Sequence, residues 1–131
     1  YKRFYKFNDF QFIAIGTKEI ETQVEDLVAQ LQSGTNTEMT KWFFLLQESK
    51  YSKNLFESLG TDLKLDEFHG SPYVFIIDKK GFLRGRNDSD GIKFGYDMRS
   101  VAELNNYMVD DVKIILAEYR LALKKNNILD N

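Results

Sequence analysis

Apolar residues fall along this chain in two rhythms, short unbroken runs and longer stripes at three- and four-residue steps, and their alternation sets out the elements. Residues 10–15 form an aromatic and β-branched run closed by Gly16, which reads as a buried strand. Thr17 is placed to cap a helix over 18–32, where Ile20, Val24, Leu27, Val28 and Leu31 make one stripe and Gly34 ends it. The polar stretch 33–40 is a loop, and Trp42-Phe43-Phe44-Leu45-Leu46 is a second buried strand. Ser49 starts a short helix with Leu55, Phe56 and Leu59 inward, and Gly60 suits its left-handed C-terminal position.

In the second half, Pro72 introduces a strand over 73–77. Asp78-Lys79-Lys80-Gly81 turns the chain back into Phe82-Leu83-Arg84, because Asp favours the first turn position and Gly accepts positive φ. Pro72, Asp78 and Gly81 are therefore structural residues. A glycine- and aspartate-rich loop covers 87–99. The closing helix starts at Ser100, with Glu103 completing a capping box, and runs to about Lys125. Its expected buried stripe is Val101, Leu104, Met108, Val112, Ile115, Tyr119 and Ala122. At the other end, Tyr1, Phe4 and Tyr5 have helical spacing with basic residues between them, as in the last turns of a helix that begins earlier. Strands separated by helices run parallel through crossovers, and a hairpin adds an antiparallel edge, so the expected fold is α/β, a mixed sheet flanked by helices.

Composition narrows the function. At 131 residues and 43% hydrophobic, the chain suits one core and one domain, 1–131. A net charge of -2 with scattered basic residues gives no field for nucleic acid, and no apolar run reaches the roughly 20 residues of a membrane span. Zero cysteines exclude disulfides, thiolate nucleophiles and thiolate metal sites within these residues. Eleven Phe, seven Tyr and one Trp sit mostly at core positions of strands and helices, so they read as packing residues and not as base-stacking platforms.

Few residues carry candidate chemistry. His69 is the sole histidine, and Asp66 and Glu67 beside it do not supply the three or four converging ligands a metal needs, so a surface loop role is favoured. There is no Gly-x-Ser-x-Gly elbow, no Walker pattern and no Gly-x-Gly-x-x-Gly pattern. Asp88-Ser89-Asp90-Gly91 has the look of a calcium loop, but Arg86 falls at its first ligand position, and the segment reads as turns. Asp110 and Asp111 are adjacent on a helix, point about 100° apart and belong on its wet face.

A proline opening an apolar strand, a tight Asp-x-x-Gly hairpin, a second strand and a closing helix together resemble the C-terminal half of the thioredoxin fold. The opening strand with its helix, Lys41-Trp42-Phe43-Phe44-Leu45, and a histidine shortly before the strand that ends in Ile-Asp-x-x-Gly resemble the Sco/SenC branch. That resemblance implies a thioredoxin-like mixed sheet incomplete at the N-terminus, lacking the first strand and helix. It implies a cis peptide bond at Ser71-Pro72, His69 as a metal ligand, and a bacterial envelope or periplasmic protein acting in copper delivery or thiol redox for oxidase assembly. Copper enters only through the family, since the paired redox cysteines are absent here. The competing expectation is a non-catalytic interaction or dimerisation module on the same scaffold. The closing helix bears on both, because a rod of roughly 37 Å overhangs a small sheet. Ile115 and Tyr119 are expected to face the core, while some of Leu116, Leu121 and Leu123 meet a second copy, a protein partner or a segment expected ahead of Tyr1.

Overall fold

A computed structural model describes residues 1–86 and 94–129, the last four by backbone alone. The chain gathers into two compact units, Tyr1–Ser58 and Leu59–Asn131.

In the first unit, β1 (Phe12–Thr17) and β2 (Trp42–Gln47) pair in parallel, with Ile13 opposite Phe43 and Ile15 opposite Leu45. The crossover that parallel pairing demands begins with a 3-10 helix (Lys18–Gln23) and continues as α1 (Val24–Thr35). Gly34 therefore lies inside the helix, and the terminator is Asn36, left-handed at φ 52°. Asparagine tolerates that conformation almost as well as glycine. α2 (Ser49–Ser58) follows, and Gly60 just beyond it is left-handed at φ 72°. Leu55, expected inward, is 44% exposed. The first residues form turns instead of a helix: the Tyr1 carbonyl accepts from the amides of Phe4 and Tyr5, and Phe4 is buried.

In the second unit the expected strand over 73–77 breaks at Phe75. β3 (Tyr73–Val74) pairs antiparallel with β6 (Tyr96–Asp97), whereas β4 (Ile76–Ile77) pairs antiparallel with β5 (Leu83–Arg84). Changing partners mid-strand divides the expected strand between two pairs, and the described residues hold three two-stranded pairs in place of the expected single mixed sheet. The α/β class stands.

The closing helix starts as its capping box requires, with the Glu103 amide donating to Ser100 Oγ at 3.2 Å. It runs through α3 (Val101–Glu103), a π-helical stretch (Leu104–Met108) and α4 (Val109–Leu129). The wider π turn shifts the preceding residues out of α-helical register, so a stripe projected at 3.6 residues per turn misplaces them: Val101 is 70% exposed. Beyond the π turn, Ile115 and Leu116 are buried, while Ala122, expected inward, is exposed.

Candidate interaction surface and polar clusters

The β1–β2 sheet has two unlike faces, because strand side chains alternate sides. Phe12, Ala14 and Gly16 of β1 share a half-buried face with Trp42, Phe44 and Leu46 of β2. The Phe12 and Trp42 ring centroids lie 4.2 Å apart, and Tyr1 and Phe10 extend the aromatic cluster. Ile20 of the 3-10 helix closes over Gly16 so tightly that a Cβ there would come within 2.7 Å of Ile20 Cδ1. The opposite face consists of Ile13, Ile15, Phe43 and Leu45, exposed by 44–50%. Sequence reading took both strands as fully buried, and the structure leaves this face open. With side chains of roughly 200 Å² each about half exposed, the patch amounts to about 400 Å², the size of the largest apolar patch on a typical monomer, which is often functional.

Elsewhere in this unit a hollow of about 660 Å³ is lined by Tyr5, Lys6, Asn36, Thr37 and Glu38 among others. Thr37 is buried within it, its hydroxyl 2.7 Å from that of Thr35.

The second unit holds the residues singled out by chemistry. His69 is exposed and left-handed at φ 61°, at the tip of a loop organised by Asp66, whose Oδ1 accepts from the amides of Phe68 and Gly70 at 2.9 and 2.8 Å. Asp66 is thus occupied in backbone bonding. No three metal-ligating side chains converge among the described residues. The expectation of a cis bond at Ser71-Pro72 is corrected, for that bond is trans. Pro72 opens β3, and its carbonyl accepts from the Met98 amide at 2.9 Å. Asp78 organises the hairpin: its Oδ1 accepts from the amides of Lys80 and Phe82, while Gly81, at φ 85°, donates its amide to the Asp78 carbonyl. The Phe82 backbone bond leads in holding the Asp78 carboxyl below its ordinary range.

Two arginines on the hairpin's outgoing arm engage α4. Arg84 makes a bidentate pair with Glu118 at 3.0 and 2.9 Å, and Arg86 makes one with Asp111. Tyr96 completes the second pair by donating its hydroxyl to Asp111 Oδ2 at 2.5 Å. Asp111 is therefore not on the wet face that its neighbour Asp110 occupies, since its side chain is only 15% exposed. Burial, followed by the bond to Asp111, raises the Tyr96 phenol well above its ordinary range, so it is a fixed donor and not an acid–base group. No family model, curated protein or solved structure matches this chain. What the site can do therefore rests on its own geometry.

That geometry ties down the polar groups and leaves apolar ones open. The Lys79 amide donates to the Tyr119 hydroxyl at 2.9 Å, and Tyr119 is half-buried. Leu116 is buried, and Leu121 and Leu123 are 65% and 56% exposed. The segment Asp88-Ser89-Asp90-Gly91 lies outside the described residues. Sequence reading missed Tyr96 and Asp111 as partners. The available signal was the pairing of basic residues at alternate positions, Arg84 and Arg86, with acids one helical repeat apart, Asp111 and Glu118.

Proposed function

We propose that this chain is a non-catalytic protein-interaction module that binds a partner protein through the open face of the β1–β2 sheet. One observation carries the reading: a parallel pair leaves Ile13, Ile15, Phe43 and Leu45 uncovered. Parallel sheets are stable with both faces covered, so an open apolar face is an unfinished layer. The polar clusters support the same reading, since their carboxylates and guanidiniums are consumed in pairs with one another.

The element order, ending in a hairpin and a long helix, also supports a thioredoxin-like scaffold as the module's origin, and an envelope location belongs to that proposal. Copper delivery or thiol exchange would need thiolate ligands, and these 131 residues hold none.

A photo-crosslinking amino acid at Phe43, with the still more exposed Phe68 as control, tests the function in the cells that make the protein. A discrete protein adduct from Phe43, lost when Ile15→Lys and Leu45→Lys are combined, is the expected result. An adduct pattern no different from that at Phe68 overturns the reading.

A further inference from the structure

The hollow in the first unit points, we propose, to a binding site for a small zwitterion, a molecule carrying one ammonium and one carboxylate group. Its volume of about 660 Å³ falls within the roughly 300–1,000 Å³ of small-molecule sites, and it shares no residue with the open sheet face. Its buried member is Thr37, 8% exposed. The Thr35 hydroxyl lies 2.7 Å from the Leu31 carbonyl, which can only accept, so the one hydroxyl hydrogen of Thr35 is spent there. In the 2.7 Å contact between the two hydroxyls, Thr37 must therefore be the donor. Its own hydrogen is spent as well. The Thr37 oxygen is left as a buried acceptor to which no described residue donates.

Two features around that acceptor call for a donor that is positively charged. α1 ends at Thr35 with no basic residue in its last turn, so the partial negative charge of its C-terminus is not offset from within the helix, and Gln32, Asn36 and Thr37 line the hollow there. Glu38 adds a carboxylate that has no ion pair among the described residues. An ammonium group brings both the charge and three donors, whereas a neutral hydroxyl brings one donor and no charge. The opposite sign also borders the space. Lys6, from the N-terminal turns, lines it with its Nζ 5.8 Å from the Tyr5 ring centroid. No described carboxylate lies within ion-pair distance of Lys6, so Lys6 and Glu38 do not neutralise one another. A simple amine is attracted to Glu38 and repelled by Lys6, and a simple carboxylate the reverse. One molecule bearing both groups satisfies both charges, with its ammonium at Thr37 and Glu38 and its carboxylate at Lys6.

The test follows backbone amide resonances of the isotope-labelled full chain during titration with glycine, γ-aminobutyrate and ε-aminohexanoate, which hold the two charges progressively further apart. Butylamine and butyrate supply the two halves alone. The expected result is saturable shifts at Asn36, Thr37 and Glu38 with at least one zwitterion, at an affinity at least about tenfold above that of either half. Thr37→Val, which keeps the shape and removes the acceptor, and Glu38→Gln should each weaken that binding at least about fivefold. Lys6→Gln should bring the zwitterion down to the affinity of butylamine. The amide spectrum of each variant checks that the fold is retained, and because Lys6 and Glu38 are exposed, their variants decide the matter if Thr37→Val does not fold. Butylamine or butyrate binding as tightly as every zwitterion, zwitterion binding indifferent to Glu38→Gln and Lys6→Gln, or no saturable shift at all overturns the proposal.

Discussion

The hydroxyl of Tyr96 donates to Asp111 Oδ2 at 2.5 Å, and Arg86 grips the same carboxylate in a bidentate pair at 2.8–3.2 Å, so one acid secures two segments to the closing helix. Tyr96 is 3% exposed. Removing its acceptor leaves a buried hydroxyl without a partner. Asp111→Ala is expected to lower stability by about 1–3 kcal/mol and Tyr96→Phe by about 1 kcal/mol, with the double variant costing less than the sum. Urea unfolding of the four proteins measures this, and simple additivity would disprove the coupling.

The same residues set the pH response. Burial pushes the Asp111 carboxyl up, but hydrogen bonds from Arg86 and Tyr96 outweigh it and hold the group below its ordinary range; Arg84 does the same for Glu118. Groups lowered on folding contribute stability that is complete above the unfolded carboxylate range of about pH 4 and is lost as pH falls through the lower folded values. Tyr96, raised on folding, contributes in the opposite sense: its share is complete below about pH 10 and is lost as pH climbs toward its folded value. Unfolding midpoints should drop at both extremes, Asp111→Asn should flatten the acid limb, and Tyr96→Phe should flatten the alkaline one.

Two glycines bracket β5 with unequal demands. Gly81, at φ 85°, has open space where a Cβ would go, so Gly81→Ala carries only the backbone cost of about 1–2 kcal/mol. Gly85, at φ 147°, would place a Cβ 2.7 Å from the Phe94 carbonyl oxygen. That obstacle is backbone and cannot rotate away. Gly85→Ala should be the more damaging in thermal unfolding, and equal losses would contradict the contact.

Copper chemistry offers a direct check on the family resemblance. Soft thiolates select Cu(I), and the only imidazole, His69, is exposed at a loop tip whose neighbouring Asp66 is bound to backbone amides. Titration against a competing chelator should show no tight stoichiometric binding, and His69→Ala should change nothing. Retention of one equivalent that disappears in His69→Ala would restore His69 as a ligand.

On α4 the exposed Leu121 and Leu123 offer little area beside the sheet face. Leu121→Lys with Leu123→Lys should leave both the unfolding midpoint and the sedimentation coefficient unchanged. A fall in sedimentation coefficient with that pair would place self-association on the closing helix.

Local signals in the sequence set the local structure. The Asp78–Gly81 turn, the Ser100 cap, the left-handed Gly60 and the pairing of two apolar runs through a helical crossover each depend on residues within a few positions of one another or on periodicity, and each was legible. What tertiary structure decided depends on distant partners. Trp42-Phe43-Phe44-Leu45-Leu46 carries no mark of which face is covered, because an unbroken apolar run satisfies either side, and only packing by Ile20 and the aromatic cluster left Phe43 and Leu45 outside. The break at Phe75 came from competition between two antiparallel partners, Leu83–Arg84 and Tyr96–Asp97, that a single-strand pattern cannot rank. Asp111 and Asp110 are the same residue side by side, and the contact with Tyr96 and Arg86, 15 and 25 positions away, drew only one of them inward.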